Sequence, residues 1–216
     1  MRALILSVAA ALLAVSPAMA QDGTDEAALP AATDTKPAIT PLAAQAMYNF
    51  TRCVVEFSRP GAEKLLARDF RSDEYRQAMR RYVKGHGRCA PRSELGSSQL
   101  VFAGNLAEHL LIDKFSETAL AADLARDRSA MPIEARSVAE GIALCIVMQA
   151  PQDSAALFRT EVMSDAEKAV LANIAPKLSG CVRQGAEFRT NRTGLRALLA
   201  LAAYRIAVTD TVESAT

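Results

Sequence analysis

The four cysteines of this chain are the residues whose type and spacing most directly suggest chemistry. Cys53 and Cys89 lie 36 residues apart, and Cys145 and Cys181 are separated by the same distance. Cysteines can form disulfides, hold a metal ion or exchange electrons. A redox pair of the last kind needs a Cys-x-x-Cys arrangement, which the sequence lacks. The spacing therefore leaves disulfides or a metal site to consider.

A metal site would use His86 and Cys89, which have the His-x-x-Cys spacing of zinc ligands. Cys53 and His109 could complete a set of four ligands. The chain has no further histidine, and a leucine and a tyrosine stand at the matching positions around the second cysteine pair. Because the cysteines are repeated and the histidines are not, we expect structural disulfides and no metal or other cofactor.

Four cysteines allow three pairings, and spacing alone does not choose among them. If the chain arose by duplication of a unit that once folded alone, each bridge should lie inside one unit. Such internal bridges would join Cys53 to Cys89 and Cys145 to Cys181, and a pairing between the units stays open. A loop of this length predicts a stabilisation of about 3.5–4 kcal/mol for each bridge.

The histidines could act as general bases in catalysis. His109 follows Glu108, so a carboxylate could support its imidazole, and His86 could contribute to the same site. The simpler interpretation places His109 as a half-buried residue at the flank of a helix. The Gly-x-Ser-x-Gly elbow, the phosphate-binding glycine loop and the His-Glu-x-x-His zinc helix do not occur in the sequence. We therefore assign no catalytic residue.

Two helices must carry the first cysteine of each pair. Apolar residues recur at helical spacing from Leu42 to Phe57, and the same apolar face returns 92 residues later, between Ala135 and Ile146. A short connecting segment should follow each of these helices. Alanine and leucine make up much of the apolar content, and both favour helices over strands.

Serine residues predict where the second helices begin, at Ser72 and at Ser164. Glu167 completes a capping box with Ser164, in which its carboxylate reaches back to the cap amide. Tyr75 stands at the corresponding place in the first copy. A third helix in each copy should be capped near Ser98 and near Thr193, respectively.

The pattern predicts an all-α protein built by tandem duplication of a three-helix unit, each unit holding one disulfide-stapled hairpin. The two repeats cover about residues 41–128 and 133–210, within one helical domain at 41–216.

The beginning of the chain has the pattern of an export signal. Arg2 precedes an apolar run that ends in Ala-Met-Ala, which predicts a signal peptide at residues 1–20. Residues 21–40 are rich in alanine, proline and threonine, which predicts a disordered linker. We expect a periplasmic or secreted protein without a transmembrane segment after cleavage.

Charge is distributed unevenly between the two copies, although the chain has a net charge of only +1. Residues 52–92 include eleven basic and five acidic residues, whereas the matching span 144–184 has four of each. This asymmetry predicts an anion-facing surface at Arg76, Arg80, Arg81 and Lys84. Its partner would be an acidic periplasmic protein or an anionic component of the envelope, because export argues against nucleic acid. The alternative is an ordinary solvated surface.

The segments CVV…L…S-D…C with LVFAGNLAEHL, and CIV…L…S-D-A-E…C with LRALLALAAYR, resemble a pattern of small exported bacterial proteins. In that group a cysteine helix, a second cysteine and an alanine-rich helix occur twice. The resemblance implies an all-helical exported fold and brings no catalytic residue with it. Together with the residues, it predicts a non-catalytic structural or binding protein. The alternative is a small periplasmic enzyme with a site around His109, Glu108 and His86.

Overall fold

Helices account for all the regular secondary structure in the residues that the computed structural model describes, 39–90, 96–129, 133–183 and 188–213. The all-helical fold class predicted from the sequence is thereby confirmed. The expected signal peptide and nearly all of the expected linker lie outside the described residues. Within those residues, no helix is long and apolar enough to cross a membrane.

The first half of the described chain, residues 39–129, contains five α-helices and a short 3₁₀ helix at Gly87–Cys89. In chain order the α-helices are α1 (Pro41–Phe57), α2 (Arg59–Leu66), α3 (Asp73–Gly85), α4 (Gln99–Lys114) and α5 (Glu117–Leu124). The second half, residues 133–213, contains α6 (Val138–Gln149), α7 (Pro151–Leu157), α8 (Asp165–Cys181) and α9 (Arg192–Glu213).

Three of these helices differ from the three-helix unit that the sequence predicts. The helices α2 and α7 occupy the expected connecting segments, and α5 follows the last helix of the first predicted unit. A proline in the first turn favours each of α2 and α7. The hydroxyl of Ser116 caps α5, and Leu120 and Leu124 bury its inner face. Apolar periodicity does not reveal such short helices in the sequence, because one or two turns give too few apolar repeats.

The serine caps lie where the sequence predicts them. The hydroxyls of Ser72, Ser98 and Ser164 each accept a backbone N–H from the residue three positions later, at 3.0, 3.2 and 3.1 Å. The cap expected near Thr193 is Asn191, since α9 begins at Arg192 and Asn191 Oδ1 accepts the Gly194 N–H at 2.8 Å. Asparagine is an equally good cap because its side-chain oxygen also accepts from an amide.

The contact between α4 and α9 lies at the centre of the fold. The two backbones approach closely at Gly104, where a Cβ atom would lie 2.4 Å from the Cα of Ala197. The first helix of each half covers the central helix of that half, α1 on α4 and α6 on α9. Every residue from Val101 to Leu111 is buried. Polar side chains in this stretch must therefore find partners inside the protein.

Two disulfides tie the outer helices of each half. One joins Cys53 of α1 to Cys89 of the 3₁₀ helix, and the other joins Cys145 of α6 to Cys181 at the end of α8. The Cα atoms are 5.7 Å apart in both, within the usual range for a disulfide. Each bond lies inside one half, as the duplication argument expects. The sulfurs are bonded to each other and are therefore not available as thiolate ligands.

Candidate functional site

The predicted anion-facing residues occupy the exposed side of α3. Arg76, Arg80, Arg81 and Lys84 are all exposed, and we call these four residues the basic face of α3. Arg76, Arg80 and Lys84 follow one another at intervals of four, so they form a row about 12 Å long at about 1.5 Å per residue. Arg76 pairs with Asp73 at 3.0 Å.

Local acids do not neutralise the rest of the basic face. In the described part of the chain, no carboxylate lies within ion-pair distance of Arg80, Arg81 or Lys84. Like charges four residues apart on a helix repel one another by about 0.2–0.5 kcal/mol. The fold thus retains a small electrostatic cost at this face without an internal contact that offsets it.

The corresponding side of α8 is almost uncharged. Counting from the serine caps, Lys168, Ala172, Asn173 and Pro176 take the places of the four residues of the basic face. All four are exposed. The scaffold therefore does not require cations at these positions.

An exposed aromatic ring lies next to the segment that follows α3. Phe57, the last residue of α1, has 56% of its surface exposed. The guanidinium of Arg88 lies 5.0 Å from the centre of its ring, within the range of a cation–π contact. Tyr82 of α3 donates its hydroxyl to the Ser58 carbonyl at 2.8 Å. This bond and the Cys53–Cys89 disulfide fix the end of α1 against the end of α3.

A second concentration of charge lies inside the protein, around Arg196 of α9. We define the buried ion cluster as Tyr48, Glu108, Glu167, Arg192 and Arg196. Arg196 donates to both oxygens of Glu108 at 2.8 and 2.6 Å and to Glu167 at 2.9 Å. Two further bonds, to the hydroxyl and the carbonyl of Thr160, use the remaining donors of its guanidinium. Every N–H of this side chain is thus satisfied.

The charges of the buried ion cluster depend on one another. The side chain of Arg196 is 2% exposed, and those of Glu108 and Glu167 are 1% exposed. Burial opposes the charged guanidinium, but the neighbouring carboxylates, Glu108 foremost, raise the pKa of Arg196 overall. A permanently charged arginine consequently connects α4 of the first half to α8 and α9 of the second.

Glu167 has a second role at the start of α8. Its Oε2 atom accepts the Met163 N–H at 3.0 Å and pairs with Arg192. The predicted capping box placed this carboxylate on the amide of Ser164, one residue later, and that detail is wrong. Met163 has a φ of 65°, a left-handed conformation that is uncommon for a residue with a side chain. The backbone turn there lets Met163 present its amide to Glu167.

Tyr48 links the cluster to His109. Its hydroxyl donates to Glu108 at 2.6 Å, and its carbonyl accepts from the His109 Nε2 at 3.0 Å, which assigns the proton to that nitrogen. His109 is 5% exposed, so its predicted half-buried position is wrong. Burial lowers the pKa of His109 despite the nearby charge of Glu108. The neutral imidazole is therefore the favoured form.

The catalytic alternative would use His109, Glu108 or His86. Glu108 is bonded to Arg196 and Tyr48, while a ring nitrogen of each histidine bonds a backbone carbonyl, that of Tyr82 in the case of His86. Within the described ranges, no group of histidine, cysteine, aspartate or glutamate residues could hold a metal ion.

A third buried carboxylate, Glu140, was not predicted from the sequence. Ser137 caps α6, and Glu140 accepts the Arg136 N–H at 2.6 Å and an N–H of Arg205 at 2.6 Å. Two of the three arginines of α9, Arg196 and Arg205, thus bind the capping glutamates of two different helices, Glu167 of α8 and Glu140 of α6. The sequence carried a signal for this arrangement, namely single charged residues inside otherwise apolar helices.

The described residues also form an open groove at the end of α8. Two hydroxyls in its lining, those of Ser179 and Thr190, donate to nearby backbone carbonyls at 3.0 and 3.3 Å. Apolar side chains make up the rest of the lining: Leu178, Val182, Phe188 and Leu195. The groove therefore lacks the convergent polar groups that fix a small ligand.

No protein-family model, curated protein or solved structure matches the chain.

Proposed function

We propose that this chain is an exported, non-catalytic binding protein that presents the basic face of α3 to an anionic component of the cell envelope. The observation that carries the proposal is the exposed and locally unneutralised set Arg80, Arg81 and Lys84. The nearly uncharged face of α8 supports it, because an equivalent helix folds without these cations. Cationic surfaces attract anionic partners over about 10 Å at moderate salt.

Export is supported by the two disulfides, since such bonds persist mainly in oxidising compartments. The pattern of residues 1–20 supports it independently. We further propose that the two halves descend from a duplicated unit. The matching order of cysteine helix, serine-capped helix and central helix supports this, as do the two disulfides of equal separation.

The enzyme alternative draws no support from the contacts around His109. The carboxylate that would assist a general base, that of Glu108, is bonded to Arg196. Only 5% of the surface of His109 is exposed. A catalytic group must reach its substrate. Turnover of any substrate that is lost in His109→Ala, with the fold retained, would revive this alternative.

Fractionation of the native host tests the proposed function. We expect the mature chain to begin at Gln21, to carry two disulfides and to sediment with the envelope fraction at low salt. About 1 M salt, where the screening length falls to about 3 Å, should release it. Arg80→Gln/Arg81→Gln should remain in the soluble fraction, whereas Lys168→Gln/Lys177→Gln, with the same change in charge on α8, should sediment normally. Equal behaviour of both variants would contradict the proposal.

A further inference from the structure

We infer that the anionic partner is a phospholipid bilayer surface, with Phe57 inserting at the headgroup level beside the basic face of α3. This inference rests on the proposed function and names its partner. Two features carry it: the cationic row of α3 and the exposed ring of Phe57 next to the segment that follows α3.

The cations project from the exposed side of α3. Arg76, Arg80 and Lys84 lie on one side of a helix whose outer residues are exposed along its length, and Arg81 widens the row. A row of this form matches an extended anionic plane, in which many phosphates can each meet one cation. Near an anionic bilayer, each such residue contributes about a fivefold increase in partitioning.

Phe57 adds an apolar contact that a simple electrostatic surface would not need. The ring is 56% exposed, and the Arg88 guanidinium lies 5.0 Å from its centre. Arg88 lies beyond the end of α3 at Gly85, so its contact with the ring places Phe57 next to the segment that follows the cationic row. An aromatic side chain beside cations is suited to the boundary between headgroups and acyl chains, where one part meets lipid and the other meets water and phosphate.

The matching position on α6 again provides a comparison. Gln149, the last residue of α6, takes the place of Phe57, and its amide donates to the sulfur of Cys145 at 3.4 Å. The second half thus lacks both the cationic row and the exposed ring. The charge complementarity and the apolar contact occur together on the first half, as a membrane-docking surface requires.

Sedimentation with vesicles tests the inference with the oxidised mature chain. One set of vesicles contains phosphatidylcholine with phosphatidylglycerol, and the other contains phosphatidylcholine alone. We expect binding to the anionic vesicles only, and a roughly 30-fold weaker partition coefficient for Arg80→Gln/Arg81→Gln, from about fivefold for each charge removed. Lys168→Gln/Lys177→Gln should bind as the wild type does.

Phe57→Ala tests the apolar contact and should weaken binding to anionic vesicles several-fold. Leu42→Ala, which removes another exposed apolar side chain at the opposite end of α1, should not. Thermal unfolding by circular dichroism confirms that each variant is folded.

Three results would overturn the inference: no binding to anionic vesicles, equal binding to neutral vesicles, or full retention in Phe57→Ala. A last experiment measures binding of the protein to a soluble polyglutamate peptide. Binding of this peptide without vesicle binding would identify an acidic protein as the partner, which rejects the bilayer and leaves the proposed function intact. If the wild-type protein did not associate with the envelope of its native host, both the bilayer inference and the proposed function would be rejected.

Discussion

The beginnings of α3 and α8 have the same serine cap and bury different residues behind it. In α8, Glu167 binds Arg196, Arg192 and the Met163 amide. In α3, the residue at that position is Tyr75, which is fully buried. Its hydroxyl has no hydrogen-bond partner in the part of the chain that the structure describes. The same helix start can thus support an ionic network or leave a polar atom unpaired.

This contrast extends to the surface. The second half has its arginines on α9 bonded to buried glutamates, whereas the first half has its cations on the outside of α3. The arginines of α9 are paired inside the protein, whereas the cations of α3 lie on its surface. The difference separates residues that are bonded within the fold from residues that remain exposed.

Removal of Arg196 should have the largest effect on stability. Arg196→Met leaves the buried carboxylates of Glu108 and Glu167 without their cation, which typically costs about 3–5 kcal/mol. Urea denaturation of the oxidised protein measures the loss. The matched control is Arg205→Met, where the arginine is 19% exposed and its carboxylate 7% exposed. We expect a smaller loss there, and equal losses would contradict the importance of complete burial.

Removal of either disulfide should cost slightly less than the loss of Arg196. Cys53→Ser/Cys89→Ser and Cys145→Ser/Cys181→Ser open loops of equal sequence separation, 36 residues each. Restriction of the unfolded chain therefore predicts similar losses, each about 2–5 kcal/mol. If the unfolding free energies of the two double variants differed by more than about 1 kcal/mol, part of the loss would come from changes in the native state and not from the unfolded chain.

Removal of the unpaired hydroxyl should stabilise the first half. Tyr75→Phe deletes a buried polar atom without a partner among the described residues, so unfolding free energy should rise by up to about 1 kcal/mol. Tyr82→Phe is the matched control on the same helix, because the Tyr82 hydroxyl donates to Ser58 at 2.8 Å. It should lower stability by about 1 kcal/mol. A loss in Tyr75→Phe would mean that its hydroxyl has a bound water or another partner.

The sequence was sufficient for the parts of the fold that depend on local pattern. The serine caps and the long amphipathic α1 follow from local pattern, because each is a short-range preference. The cysteine pairing needed a further assumption, namely that each bridge lies inside one duplicated unit. The hydrogen bonds of the buried ion cluster join residues up to 88 positions apart in the chain. Its geometry depends on how closely α4 approaches α9 at Gly104 and Ala197. That approach is a tertiary property, and one helix's periodicity does not contain it.

Exposure of the basic face, in contrast, could be predicted from the sequence. Arg80, Arg81 and Lys84 could be assigned to one helix from the sequence, and the structure places them in solvent. His109 could be assigned to a helix as well, but its depth depended on α1 covering α4. A residue near the edge of an apolar stripe is exposed or buried according to its neighbours, which explains why its expected half-burial is wrong.

His109 should produce the smallest effect, a change in how stability depends on pH. Burial lowers its pKa below the ordinary 6.5, with Glu108 and Asp113 opposing the shift and Arg52 adding to it. The unfolded chain therefore takes up a proton at a higher pH than the folded protein does. Between 6.5 and the lower folded value, the unfolding free energy should fall as the pH is lowered. Above 6.5 this contribution is constant.

His109→Gln tests this dependence, because glutamine can donate to the Tyr48 carbonyl and has no charged form. Urea unfolding curves of both proteins between about pH 5 and pH 7 span the range in which histidine ordinarily titrates. The variant should lose less stability than the wild type across that range, whatever its absolute stability. Carboxylates that begin to titrate at the acidic end are shared by the two proteins and cancel in the comparison.

Identical slopes of unfolding free energy against pH would mean that the imidazole gains enough from its neighbours on protonation to offset its burial. His109 would then be a group that can accept a proton inside the fold, which is the property that the catalytic alternative requires.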